Sequence, residues 1–204
     1  MNPATCDGSV TKQVVGQTEG METESAQVFF ALLTVLAMAI VVLAWGAALF
    51  GRTNSTLAQL TSDLDKVGVV LAWMVATTCM VGSLYFSEVA NYEPCRLCWY
   101  QRVCMYSLAI ILLVAVIRRS RDVVPYAVAL ALVGSCISIY HYLVEWYPSL
   151  ESDVCDINVP CTTVWFRRFG FISLPLMALV GFVTVISVLV APIVGASKEE
   201  KTKR

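Results

Sequence analysis

The chain has 204 residues, of which 58% are hydrophobic and only 14% are charged, and its mean hydropathy of +0.72 excludes an ordinary water-soluble domain. The formal net charge is −1 and the basic residues form no long run, which excludes nucleic acid as a partner. We therefore expect an integral membrane protein.

The N-terminal part predicts a tail followed by a first membrane span. Residues 1–26 are rich in Thr, Gly, Gln and Glu and have little to bury, so they predict an extracytoplasmic tail. Residues 27–50 carry no charge and are long enough to cross about 30 Å of hydrocarbon as a helix. A cleaved signal peptide is the alternative, but the run exceeds the usual apolar length of about 7–15 residues and follows an acidic segment.

Four further apolar runs predict four more spans. None shows the alternation of apolar and polar residues that a membrane-spanning β-strand requires. The predicted fold is therefore all-α: a four-helix membrane domain over residues 66–195, one extra N-terminal transmembrane helix, and a basic cytoplasmic tail at 196–204. The four runs are residues 67–87, 98–117, 123–144 and 171–194.

The distribution of lysine and arginine predicts the orientation of the spans. Nine of the 14 basic residues fall in the connection after span one, the connection after span three and the C-terminal tail, and five fall on the other side. Positive charge is retained on the cytoplasmic side of membranes. We therefore expect the N-terminus outside and the C-terminus in the cytoplasm.

A Cys-x-x-Cys motif stands at the outer end of span three. Cys95 and Cys98 are separated by Arg96 and Leu97, at the start of the predicted helix. The N-terminus of a helix stabilises a thiolate through its unpaired N–H groups and its dipole. Arg102 follows Cys98 by four residues, so that both lie on one helix face and the guanidinium can approach the sulfur or an anion beside it.

A second cysteine pair lies in the connection between spans four and five. Cys155 and Cys161 have five residues between them and are also expected outside, so that two exchangeable disulfides would share one membrane face. Purely structural disulfides are one alternative, although closing such short loops would stabilise the fold by only about 2 kcal/mol each. A four-thiolate zinc site is the other, although its cysteines usually occur in two shorter pairs. The pattern favours a redox relay, with no metal.

The remaining cysteines have simpler interpretations. Cys79, Cys104 and Cys136 fall inside predicted spans, where an uncharged thiol acts as a small apolar filler. Cys6 lies in the predicted tail and has no partner that the spacing suggests.

The motif Pro94-Cys95-Arg96-Leu97-Cys98-Trp99-Tyr100-Gln101-Arg102, with Tyr147-Pro148-Ser149 and the loop pair behind it, resembles the DsbB family of disulfide bond formation proteins. The resemblance covers about residues 66–195. The vitamin K epoxide reductase family has a similar bundle but carries its loop cysteines before the Cys-x-x-Cys. The stretch 170–175 is similar to the Gram-positive branch called BdbC. Family members usually have four spans, so the first helix is an addition.

The resemblance implies a bundle in the bacterial cell membrane that holds a quinone, either ubiquinone or menaquinone, near the outer face. It also implies a DsbA-like thioredoxin-fold partner outside the cytoplasm. The partner's thiolate would attack Cys155, the released Cys161 would exchange with Cys95, and Cys98 would pass the electrons to quinone.

Two further residues match family positions near the quinone. Arg102 corresponds to the family arginine, and snorkelling to lipid head groups is its alternative. His141 corresponds to a histidine found in some members, and a structural hydrogen bond is its alternative. A reversed reaction that reduces the partner from quinol, a vitamin K epoxide reductase-like activity and a non-catalytic, disulfide-stapled scaffold remain as alternative functions.

Overall fold

Five long helices make up most of the part of the chain that the structure describes. The computed structural model describes residues 8–50, 55–151, 155 and 159–203, with side chains described for 22–49, 63, 65, 67–151, 155 and 159–194. Within these residues there is no β-strand, only one isolated bridge between Arg168 and Ile172. The helices are α1 (Gly8–Phe50), α2 (Ser55–Leu84), α3 (Arg96–Arg118), α4 (Val124–Trp146) and α5 (Leu174–Lys203).

Each helix contains a segment long and apolar enough to cross a membrane, which confirms the prediction of an all-α protein with five spans. The predicted spans and the observed segments agree closely at their ends, apart from the first. These segments are Glu22–Leu49, Val67–Val89, Arg96–Arg118, Val124–Trp146 and Leu174–Val194.

Helices α2 to α5 form a four-helix bundle in which α2 contacts α3 and α5, and α4 contacts the same two helices. Helix α1 packs outside this bundle against α5 and α2. The chain therefore has a four-helix core with one added helix.

The bundle core is aliphatic and closely packed. The side chains of Leu108, Leu112, Phe182 and Leu189 are fully buried in one cluster. Gly134 on α4 lets α5 approach, because a Cβ at that position would lie 2.3 Å from the Phe182 ring. Small residues allow membrane helices to pack this closely, and dispersion contacts then stabilise the bundle.

Helix α1 begins at Gly8, so the backbone is helical across residues 8–26, for which the sequence predicts a tail. Toward the other end of the helix, Ala44 and Ala48 pack against Ala191 of α5. The Trp45 indole N–H donates to Ser187 Oγ at 3.0 Å. Cys6 lies outside the described residues.

The connections place both cysteine pairs at one end of the bundle. After α2, a π-helical turn (Tyr85–Val89) and an extended segment lead to Cys95. After α4, a 3₁₀ turn (Pro148–Leu150) begins the connection that contains Cys155 and Cys161. The tight turn between α3 and α4 lies at the opposite end, where Arg121 forms an ion pair with Asp65 of α2.

Candidate functional site

Cys95 is the N-cap residue of α3, with an extended backbone and a side chain that accepts a hydrogen bond from the Cys98 N–H at 3.3 Å. The two sulfur atoms are 2.9 Å apart and are not bonded to each other. The sequence predicts a disulfide here in the resting state, whereas the structure has two thiols in hydrogen-bond contact. A thiol at an N-cap is placed where the helix dipole and the N–H groups favour its anion.

Cys95 is buried and lies against His141 of α4, whose Nε2 atom is 3.6 Å from the Cys95 sulfur. The hydrogen bond from the Cys98 thiol lowers the pKa of Cys95 to about 4, with help from His141 and against the effect of burial. The reduced pair therefore carries its negative charge on the Cys95 sulfur at neutral pH.

Cys155 and Cys161 form a disulfide, which confirms the pairing predicted from their spacing. Cys155 is partly exposed, whereas Cys161 is only 1% exposed. The Cys161 N–H donates to the Glu151 carboxylate at 2.8 Å, so the loop backbone is tied back beside the buried sulfur. A molecule approaching from outside would thus meet Cys155 first.

The two cysteine pairs belong to one buried cluster at the end of the bundle. Cys95 and Cys161 pack with Leu97 and Val144, and the other two cysteines lie at its edge. Cysteines from two separate connections therefore belong to one apolar cluster. Thiol–disulfide exchange requires a thiolate to reach a disulfide, and a shared cluster keeps the two pairs in one part of the protein.

Metal binding by all four cysteines does not fit this state, because two of the sulfurs are joined in a disulfide. The sulfurs of Cys95 and Cys98 and a ring nitrogen of His141 lie within 4.8 Å of one another and would offer three ligand atoms. A closed structural zinc site uses four.

Cys98 also lines a cavity of about 530 Å³ between α1, α2, α3 and α5. The walls are mostly apolar, and Gln101 and Arg102 of α3 line the cavity together with Cys98. An apolar pocket with a few convergent polar groups is typical of sites for small hydrophobic ligands.

Arg102 is anchored to α2 and faces the cavity. Its Nε atom donates to Ser83 Oγ at 2.9 Å, and Nη2 donates to the Ser83 carbonyl at 3.0 Å. The guanidinium carbon lies 5.3 Å from the centre of the Trp99 ring, where cation–π attraction favours the charge. The side chain is therefore tied to α2 by two hydrogen bonds.

The structure adds a buried carboxylate that the sequence analysis missed. Glu145 lies just beyond residue 144, where span four was predicted to end, but α4 continues to Trp146. The carboxylate accepts a hydrogen bond from the Ser173 hydroxyl and is 9% exposed. It follows His141 by four residues, a helical spacing that could have indicated a shared face.

A membrane-spanning bundle with two adjoining cysteine pairs at one end defines the class of membrane thiol–disulfide exchange proteins. The family model described as "Disulfide bond formation protein DsbB" matches residues 65–191, which is more than half of the chain. The chain therefore belongs to the DsbB family and is a multi-pass membrane protein with a role in disulfide bond formation.

Similar proteins come from Gram-positive bacteria, as the resemblance to the BdbC branch predicts. "Probable disulfide formation protein C 2" of Bacillus anthracis is 40% identical over 126 residues, which cover 62% of this chain and 90% of that protein. "Disulfide bond formation protein C" of Bacillus subtilis is 42% identical over 116 residues, which cover 56% and 84%. No solved structure matches the chain.

Proposed function

We propose that the chain is a thiol oxidase of the bacterial cell membrane that reoxidises a DsbA-like thioredoxin-fold dithiol carrier and passes the electrons to membrane quinone. The observation that carries the proposal is the position of the four cysteines: Cys155 is partly exposed, Cys161 and Cys95 share a buried cluster, and Cys98 lines the apolar cavity. The order of these positions corresponds to a path from the outside to a membrane-soluble acceptor.

The proposed relay begins at the loop disulfide. A thiolate of the carrier attacks Cys155, Cys161 leaves as a thiolate, and the carrier's second thiolate then releases Cys155. The carrier gives up two electrons and becomes oxidised, and the loop pair becomes a dithiol. The partial exposure of Cys155 and the burial of Cys161 support this order of attack.

The second exchange takes place inside the cluster. Cys161 attacks Cys95 of a Cys95–Cys98 disulfide, Cys98 is released, and Cys155 then restores the loop disulfide. The same two electrons now reside on Cys95 and Cys98. The low pKa of Cys95 supports this step, because a stabilised thiolate is a good leaving group when Cys155 displaces it.

The residues around the cavity fit a quinone. Its apolar walls suit a ring with an isoprenoid chain, and the Arg102 guanidinium supplies N–H donors suited to a carbonyl oxygen. A bound quinone would supply a two-electron, two-proton acceptor for the dithiol. Cys98 would deliver the electrons, and Arg102 would hold the acceptor oxygen and stabilise negative charge next to the sulfur.

His141 would orient and stabilise the Cys95 thiolate through its Nε2 atom. Because His141 lines a small pocket with Cys95 and with Val159 and Pro160 of the loop, and does not line the large cavity, its proposed role is in thiol exchange. In this proposal the outer face carries the N-terminus and both cysteine pairs, and the C-terminus is cytoplasmic.

The test is turnover with purified components. Detergent-solubilised protein should oxidise a reduced DsbA-like carrier while the absorbance of decylubiquinone or of a menaquinone analogue decreases in equal stoichiometry. Cys95→Ser should abolish turnover and still give inserted, folded protein. A protein that consumes no quinone with any reduced carrier, or that runs only from quinol to a carrier disulfide, would contradict the proposal.

A further inference from the structure

Helix α1 lies outside the part of the chain that matches the family, yet it forms one wall of the cavity beside Cys98. Phe30, Leu33, Ala37 and Ile40 all line the cavity. These positions recur every three or four residues and so form one stripe along the helix. The polar lining groups, by contrast, come mainly from the other helices.

The opposite side of α1 is exposed. Val35, Ala39 and Val42 are exposed, with Val42 at 70%. Residues two positions apart in an α-helix are separated by about 200° around the axis, so Ala37 and Ala39 point in nearly opposite directions. Helix α1 therefore has one face toward the cavity and the opposite face exposed.

Near the start of its membrane-spanning segment, α1 is hydrogen-bonded to both connections that carry the cysteine pairs. The Gln27 amide donates to the Tyr92 hydroxyl at 2.6 Å, and Arg168 Nε donates to the Gln27 carbonyl oxygen at 2.9 Å. Tyr92 precedes the first pair and stacks on Trp165, which follows the second pair, at 4.7 Å. Gln27 is only 7% exposed, and its buried amide has a hydrogen bond on both its nitrogen and its oxygen.

Helix α2 is shaped to receive the α1 side chains at the cavity. A Cβ at Gly82 would lie 2.7 Å from the Phe30 ring, so glycine allows this ring to lie against α2. Phe30 in turn packs against Phe86 with ring centres 5.4 Å apart. The added helix thus packs closely against α2 beside the cavity and is hydrogen-bonded to both connections at Gln27.

From this placement we infer that α1 is part of the acceptor site and binds the isoprenoid chain of the quinone. The inference rests on the proposed function. Cys98 and Arg102 on α3 face the redox-active ring, and the apolar stripe of α1 contacts the chain attached to that ring. The added helix therefore contributes to affinity and to the choice between quinones of different chain length, and takes no part in exchange among the four cysteines.

The test compares Ala37→Phe with Ala39→Phe, which place the same ring on opposite sides of α1. Ala37→Phe fills part of the cavity and should raise the KM and the Kd for decylubiquinone by roughly tenfold, whereas Ala39→Phe should change neither. The Kd is measured by quenching of tryptophan fluorescence, which does not depend on turnover. For a tailless benzoquinone with the same ring, Ala37→Phe should have a much smaller effect.

Leu33→Ala provides a second variant that cannot overfill the cavity. The variant removes contacts to the hydrocarbon chain of the quinone. It should therefore also weaken the binding of decylubiquinone, while the binding of the tailless benzoquinone stays unchanged. Quinone-free oxidation of one equivalent of reduced carrier reports on the cysteine pairs alone, and it should keep its wild-type rate in every variant.

Two results would overturn the inference, and they are distinguishable. In the first, the wild type binds and reduces quinone, and Ala37→Phe, Leu33→Ala and Ala39→Phe all keep the wild-type KM and Kd for decylubiquinone. In that case α1 is not part of the acceptor site, and the proposed function stands. If the wild type neither binds nor reduces decylubiquinone or the menaquinone analogue, the inference fails together with the proposed function.

Discussion

The hydrogen bond between the two thiols of the Cys-x-x-Cys motif should set the acidity of Cys95. The structure offers a matched pair of variants, because Cys98→Ser keeps a donor at the position of the Cys98 sulfur and Cys98→Ala removes it. The donor lies 2.9 Å from the Cys95 sulfur and is the main reason that the pKa of Cys95 falls to about 4.

The expected size of the effect follows from the strength of such a bond. A hydrogen bond to a charged group contributes about 1.5–3 kcal/mol, and a pKa change of one corresponds to about 1.4 kcal/mol. Cys98→Ala should therefore raise the Cys95 pKa by about 1–2 pH units relative to Cys98→Ser. The thiolate should still predominate at pH 7 in both variants, because His141 and the N-terminus of α3 remain.

The assay is the pH dependence of alkylation of Cys95 by iodoacetamide in fully reduced protein. Peptide fragmentation after cleavage at Arg96 separates the Cys95 label from any label on Cys98. Denatured protein is the control and should titrate near the ordinary thiol value of about 8.5. Equal midpoints for Cys98→Ser and Cys98→Ala would refute the assignment of the low pKa to this hydrogen bond.

Four further outcomes are expected. Cys161→Ser should trap a mixed disulfide between Cys155 and the carrier on non-reducing electrophoresis, and an adduct seen only when Cys155 is removed would reverse the order of attack. Arg102→Lys keeps the charge but loses the planar fork, so the quinone KM should rise roughly tenfold while the carrier KM stays constant; equal changes in both would contradict its role. A reporter that is active only outside the cytoplasm should be silent when fused after Arg204, and activity there would refute the N-out, C-in orientation. Gly134→Leu should lower thermal stability by more than a typical surface substitution, because the side chain would overlap Phe182, and an unchanged melting temperature would contradict that packing.

The local chemistry of the Cys-x-x-Cys motif could be predicted from the sequence because it depends on neighbours along one helix. Cys95 at the N-cap, Cys98 one turn later and Arg102 four residues further on are positioned by helical geometry alone. The disulfide between Cys155 and Cys161 was predictable because only five residues of one loop separate them. The partners of Arg102 were not predictable, because Ser83 approaches from another helix.

Composition and residue order by themselves determined that this is an all-α membrane protein with five spans and two cysteine pairs, because crossing a bilayer demands long apolar helices whatever they pack against. Only the tertiary structure decided that Cys161 is buried beside Cys95, that Glu145 is enclosed, and that α1 borders the cavity next to Cys98. The physical reason is that apolar helices show no preferred face in a membrane sequence, since lipid and protein interior are equally apolar. Their mutual arrangement depends on close packing and a few interhelical hydrogen bonds, which exist only once the bundle is formed.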